Sequence, residues 1–151
     1  MDRSQFSAHG EVKAAFDEHQ KVLFIDLVGP FNLEFMRKYE MVVGAQRAKI
    51  TSPCWGSLVN INGLALAPMT ATSSAHAIVD KAVAKGLVAT AIVFNETEGE
   101  ELQKKFWTQL YEGSTLPFAF FSSRGDAIEW LSEHIYTCIE TNSACYSTTS
   151  L

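Results

Sequence analysis

The feature that most constrains this chain is a repeated change of period. Short, almost wholly apolar runs alternate with segments whose apolar residues recur every three or four positions. Residues 10–17 (GEVKAAFD) and 21–28 (KVLFIDLV) read as two strands joined by the polar turn EHQ, an antiparallel hairpin. In the second strand Leu23, Ile25 and Leu27 take one face, and Val22, Phe24, Asp26 and Val28 the other. So continuous a run predicts a strand covered on both sides. Gly29-Pro30 breaks the chain, and Asn32 caps a helix to about Lys49 with the buried stripe Phe35, Tyr39, Val42 and Val43.

The alternation then continues. Thr51-Ser52-Pro53 ends that helix and leads into a strand at about 55–61. The apolar loop 64–69 precedes a helix from about Thr70 to Lys85, with Ala75, Ile78, Val79, Ala82 and Val83 inward and Gly86 as its stop. Residues 87–94 (LVATAIVF) form another buried strand. Thr97 and Glu100 make a capping box for a helix with the stripe Leu102, Phe106 and Leu110, ended by Gly113. A last strand at 117–121 and a last helix at 123–139, with Ile128, Leu131 and Ile135 inward, complete the order β-β-α-β-α-β-α-β-α. The expected fold is α/β, a mostly parallel sheet begun by an antiparallel hairpin. Residues 1–9 read as an extension, 10–139 as one domain, and 140–151 as a flexible polar tail.

Charge and composition remove several functions. Twelve Lys and Arg against seventeen Asp and Glu leave a net charge of -5, the wrong sign for a nucleic-acid binder. No apolar run reaches the roughly 18–20 residues of a membrane span, and the start MDRSQFSAHG is too polar for a signal peptide, so a cytoplasmic protein is expected. Cys54, Cys138 and Cys145 are odd in number and lack C-x-x-C spacing, which suits a reducing compartment, with Cys54 a buried, inert thiol. His9, His19, His76 and His134 never pair at i+3 or i+4, so no metal site is expected. The glycine loops that cradle phosphates and the G-x-S-x-G elbow are both missing, and no cofactor is expected.

What chemistry remains is thin. Ser73, Ser74, His76 and Asp80 share one helix, but i+3 and i+4 steps run along its surface, so a hydrolase ranks third among the readings and no catalytic residue is assigned. Asp26 reads as a strand carboxylate satisfied by a neighbouring amide or hydroxyl rather than as a catalytic acid. Trp107 and Tyr111 are either core or, if exposed, a partner surface. Together with 19% charged residues and the loop 64–69, that pair motivates a weak homodimer. The same loop could line a pocket for an apolar, lipid-like ligand.

The hairpin closing on Gly29, the Pro30-Phe31 that follows, the capped helix, and the hydroxyl-rich helix start at Thr70–Ser74 together resemble the STAS domain. This is the anti-sigma-factor-antagonist family, and the likeness is to its uncharacterised bacterial SpoIIAA-like branch. The resemblance spans roughly residues 10 to 138. It implies a non-enzymatic regulatory module that binds a protein partner, sometimes a small ligand. It also implies a recognition surface at Leu64, Leu66, Met69, Thr70, Thr72, Ser73 and Ser74, with Thr70, then Thr72, nearest the family's phospho-acceptor. The family's D-S-S-G is replaced here by Ala67-Pro68-Met69-Thr70-Ala71-Thr72-Ser73-Ser74, without its aspartate or following glycine. The plainer role for Thr70 or Thr72 is to cap the helix.

Overall fold

The structure, a computed structural model, describes residues 11–29, 33–62, 69–95 and 100–149. Nine elements run in the expected order: β1 (Glu11–Asp17), β2 (Val22–Val28), α1 (Leu33–Ala48), β3 (Trp55–Asn62), α2 (Met69–Ala84), β4 (Leu87–Asn95), α3 (Glu100–Glu112), β5 (Phe118–Phe121) and α4 (Arg124–Thr149). One five-stranded sheet has the spatial order β1-β2-β3-β4-β5. The β1–β2 pair is antiparallel and every other pair is parallel. Asp17 builds the hairpin turn. Its Oδ1 accepts from the amides of His19 (2.9 Å) and Gln20 (3.0 Å), while Lys21 sits at φ 60° and donates its amide to the Asp17 carbonyl.

Strand order dictates the layers. Each parallel crossover steps one strand further in the same direction, so a common hand puts α1, α2 and α3 on one face. The core on that face joins Phe35 and Val43 of α1, Val79 and Ala82 of α2, and Trp107 and Tyr111 of α3 to Leu23, Ile25, Leu27, Trp55, Val59, Ile61 and Ile92. The opposite face is left to α4, which buries Ala127, Leu131 and Ile135 against Val22, Leu58, Ala89, Ala91 and Val93. Small residues let it come close: a Cβ on Gly56 would stand 3.0 Å from Leu131 Cδ2. Where α2 ends, Gly86 adopts φ 113°, and the Lys85 and Gly86 carbonyls accept from the indole and backbone nitrogens of Trp55, both at 3.1 Å.

Four expectations need correcting. First, β2 is covered on both sides only at its start. Leu23, Ile25 and Leu27 are buried, as is Val22, but Asp26 is exposed and Val28 is 40% exposed. Five strands span about 19 Å between edge axes, whereas a helix is about 10 Å across, so one helix cannot roof the whole sheet. Second, Val83 is 37% exposed, because it lies one helical step past the buried Ala82 and turns to the rim. Third, the last helix continues to Thr149 instead of stopping near Ile139. No glycine or proline stands between them to end it, and Thr141 Oγ1 donates back to the Thr137 carbonyl at 2.8 Å. Fourth, Cys54 is not a free thiol: it is disulfide-bonded to Cys138 across 84 residues, with the Cα atoms 6.0 Å apart.

Candidate functional site

In open α/β sheets ligands and partners gather beyond the carboxyl ends of the strands, and the resemblance places its surface there too. The β3 strand ends at Asn62, whose carbonyl accepts from the Gly29 amide at 3.4 Å and whose Nδ2 donates to the Leu27 carbonyl at 3.5 Å. Helix α2 starts at Met69, so Thr70, Thr72, Ser73 and Ser74 stand in its first two turns. The side chains of these five residues, and Leu64 and Leu66 entirely, lie outside the described residues. His76 and Asp80 are both exposed on α2. At the same edge of the sheet, a cavity of about 210 Å³ is lined by Phe94, Lys104, Phe120, Phe121 and Ser122. Its two stacked rings, Phe94 and Phe120, lie 5.6 Å apart.

A second polar feature lies deeper, between the sheet and the three helices of the first face. A cavity of about 30 Å³, room for one water, is lined by the hydroxyl-bearing Tyr39, Tyr111, Ser57 and Thr90 and by Arg47, among apolar neighbours. Ser57 and Thr90 satisfy each other across β3 and β4 at 2.8 Å. Arg47, only 8% exposed, is compensated by Glu40, which its Nη2 meets at 3.1 and 3.2 Å. Lys81 of α2 reaches the same carboxylate at 3.3 Å, tying α2 to α1. Burial pushes the Tyr39 hydroxyl up to about 12; the Arg47 guanidinium opposes this and the Glu40 carboxylate adds to it. Burial raises Tyr111 as well, helped by Tyr39. At neutral pH both phenols are therefore neutral groups with a proton to donate.

The other singled-out residues fall into place. Asn60 Nδ2 donates to Asp26 Oδ1 at 3.0 Å, the amide partner expected for that carboxylate. Trp107 and Tyr111 are 7% and 6% exposed, so they belong to the core, not to a partner surface, and they cannot support a dimer. They open a chain of rings running from Trp107 and Tyr111 through Phe118 and Phe120 to Phe94. Among the described residues no group of three His, Cys, Asp or Glu could hold a metal ion, and no helix is long and apolar enough to cross a membrane. The disulfide escaped the sequence reading because pairing across 84 residues leaves no spacing signal. One clue was present: Cys138 extends the inward stripe 128, 131, 135 of α4 by three residues.

This arrangement is that of a SpoIIAA-like fold. A solved structure of an uncharacterized protein of the DUF3478 family with a SpoIIAA-like fold, from Shewanella loihica PV-4, is similar with a TM-score of 0.57. The two are 18% identical, and the match covers 82% of this chain and 94% of that one. The five-stranded sheet with four helices is thus consistent with the STAS-type domain that the sequence resembles. No family model and no curated protein matches the sequence.

Proposed function

We propose that the chain is a non-enzymatic regulatory module of STAS type, cytoplasmic, which binds a protein partner through residues 64–74. The observation that carries this reading is the SpoIIAA-like fold with a hydroxyl-rich helix start directly beyond the carboxyl end of β3. Free amides and the helix dipole make the first turn of α2 a favourable place for an anion, including a phosphate on Thr70 or Thr72. The replaced D-S-S-G suggests that recognition here works without the usual phospho-switch. Leu64, Leu66 and Met69 supply the apolar part of the surface.

The test compares affinities for a partner recovered by pull-down from the source organism. Thr70→Glu, which suits a helix N-terminus, leaves the fold intact and changes the Kd more than about tenfold, or 1.4 kcal/mol. Leu66→Ala weakens binding. Ser132→Glu, on the exposed side of α4, has no effect. Wild-type affinity in both Thr70→Glu and Leu66→Ala puts the partner surface elsewhere.

A second reading, a carrier of a small apolar ligand, rests on the apolar loop 64–69 of the sequence; the cavity at Phe94, Phe120 and Phe121 also holds Lys104 and Ser122 and presents mainly polar surface. Native mass spectrometry of freshly purified protein separates the two. A retained small molecule supports the carrier, and a clean apo mass leaves partner binding ahead.

A further inference from the structure

We propose that Cys54 and Cys138 form a reversible thiol-reactive pair, in which an incoming thiol attacks the Cys138 sulfur and Cys54 is the leaving group. The two halves of the bond are unequally placed. Cys54 is fully buried at 0% exposure, held by a turn in which Ser52 Oγ donates to the Cys54 carbonyl (2.8 Å) and accepts its amide (3.3 Å). Cys138 is only half-buried on α4. Exchange requires a thiolate to reach one sulfur while the other departs, so access selects Cys138 for attack.

Departure of Cys54 places developing negative charge in an apolar setting, where a thiolate is disfavoured. One polar group meets it there. Asn142 Nδ2 donates to Cys54 Sγ at 3.4 Å. Asn142 lies four residues beyond Cys138, so the helical repeat carries the donor on the same face as the bond it serves. Asn142 is thus a positioning residue for the leaving sulfur. Among the described side chains, Ile139 and Asn142 are the last of α4 to touch the sheet side, and the helix runs on to Thr149. Opening the pair therefore removes the covalent hold on the C-terminal part of this helix.

With a dithiol as reductant the step balances. One thiolate of the reagent forms a mixed disulfide with Cys138 and expels the Cys54 thiolate, which takes a proton from water. The second thiol then attacks the reagent's own sulfur and expels Cys138. Two electrons pass to the pair, and the reagent leaves as a disulfide.

The test uses the oxidised full chain with Cys145→Ser, so that no third thiol intervenes. Reduced glutathione is applied without denaturant, followed by acid quench, alkylation and peptide mass spectrometry, and dithiothreitol is applied in parallel. The expected results are a glutathione adduct on Cys138 with Cys54 free, and full labelling of both cysteines by dithiothreitol in native buffer. Asn142→Ala slows the opening by about tenfold at unchanged Tm, the scale of losing a hydrogen bond to a charged group. Backbone amides beyond residue 139 exchange faster once the pair is reduced. An adduct on Cys54, sulfurs that open only at the rate of global unfolding, or an unchanged rate in Asn142→Ala overturns the proposal.

Discussion

The partly buried tyrosine beside Arg47 makes the alkaline limit of stability calculable. In an unfolded chain a tyrosine loses its proton near pH 10, whereas burial holds that of Tyr39 until about 12. Between these values the folded state keeps a proton that the unfolded state has lost, so stability falls as pH rises. The contribution is fully present below pH 10 and gone above 12. One proton corresponds to about 1.4 kcal/mol per pH unit, so Tyr39 alone removes roughly 2–3 kcal/mol across the window. Tyr111, raised by burial in the same direction, adds its own slope. Tyr39→Phe keeps the ring that packs against Phe35, with centroids 6.4 Å apart, and deletes only the titrating group. Urea melts followed by tryptophan fluorescence from pH 9 to 11.5 measure the difference. Wild type should lose about 1.4 kcal/mol more per unit above pH 10 than the variant, with the two within about 1 kcal/mol at pH 9. Parallel curves over the whole range would refute the burial argument for Tyr39.

Other features of the fold give sharper stability contrasts. Removing the cross-link with Cys138→Ser frees a loop spanning 84 residues, and loop entropy sets the loss at about 4–5 kcal/mol in urea melts of the oxidised forms; a loss below about 1 kcal/mol contradicts it. Gly86→Ala should lower stability by at least about 2 kcal/mol, because φ is 113° and the added Cβ would meet the Pro53 carbonyl oxygen at 2.7 Å. Lys21→Gly, at φ 60°, should instead be neutral or stabilising by up to about 1 kcal/mol by thermal melts. Within β2, Ile25→Ala should cost about 2–5 kcal/mol while Val28→Ala, 40% exposed, costs less than about 1; equal losses would break the assignment of the two faces.

The order of elements was legible because each depends on local pattern. Alternation in residues 21–28, the stripe Phe35–Tyr39–Val43 and the stop at Gly86 are all properties of neighbouring residues. What was not legible depends on numbers of neighbours across the fold. An apolar position does not reveal whether a roof exists above it, and so Asp26 and Val28 lie open where cover was expected. Trp107 and Tyr111 fill a core shared with β5, although the helix offers a competing stripe at 102, 106 and 110. The polar cavity draws Tyr39 and Arg47 from α1, Ser57 from β3, Thr90 from β4 and Tyr111 from α3, and no spacing in the chain brings these together. The surface expected at residues 64–74 rests on the resemblance and awaits the binding test.

The unequal burden on the two faces of the sheet explains why a covalent tie sits where it does. Three crossovers stepping the same way supply three helices to one face, and these brace one another: Glu40 of α1 is shared by Arg47 and by Lys81 of α2. On the other face, among the described residues, α4 has no neighbouring helix. Its grip there comes from contact with the sheet, aided by Gly56, Ala89 and Ala91 beneath it, and at its start from Arg124 lying 4.6 Å from the centre of the Phe24 ring. A helix of 26 residues is about 39 Å long, whereas the eight residues of β3 extend only about 26 Å, so its far end must leave the sheet. Cys54 precedes β3 at the edge where that departure happens, and Cys138 is the α4 residue that meets it. The bond thus fastens the most weakly braced helix near the place where it leaves the sheet.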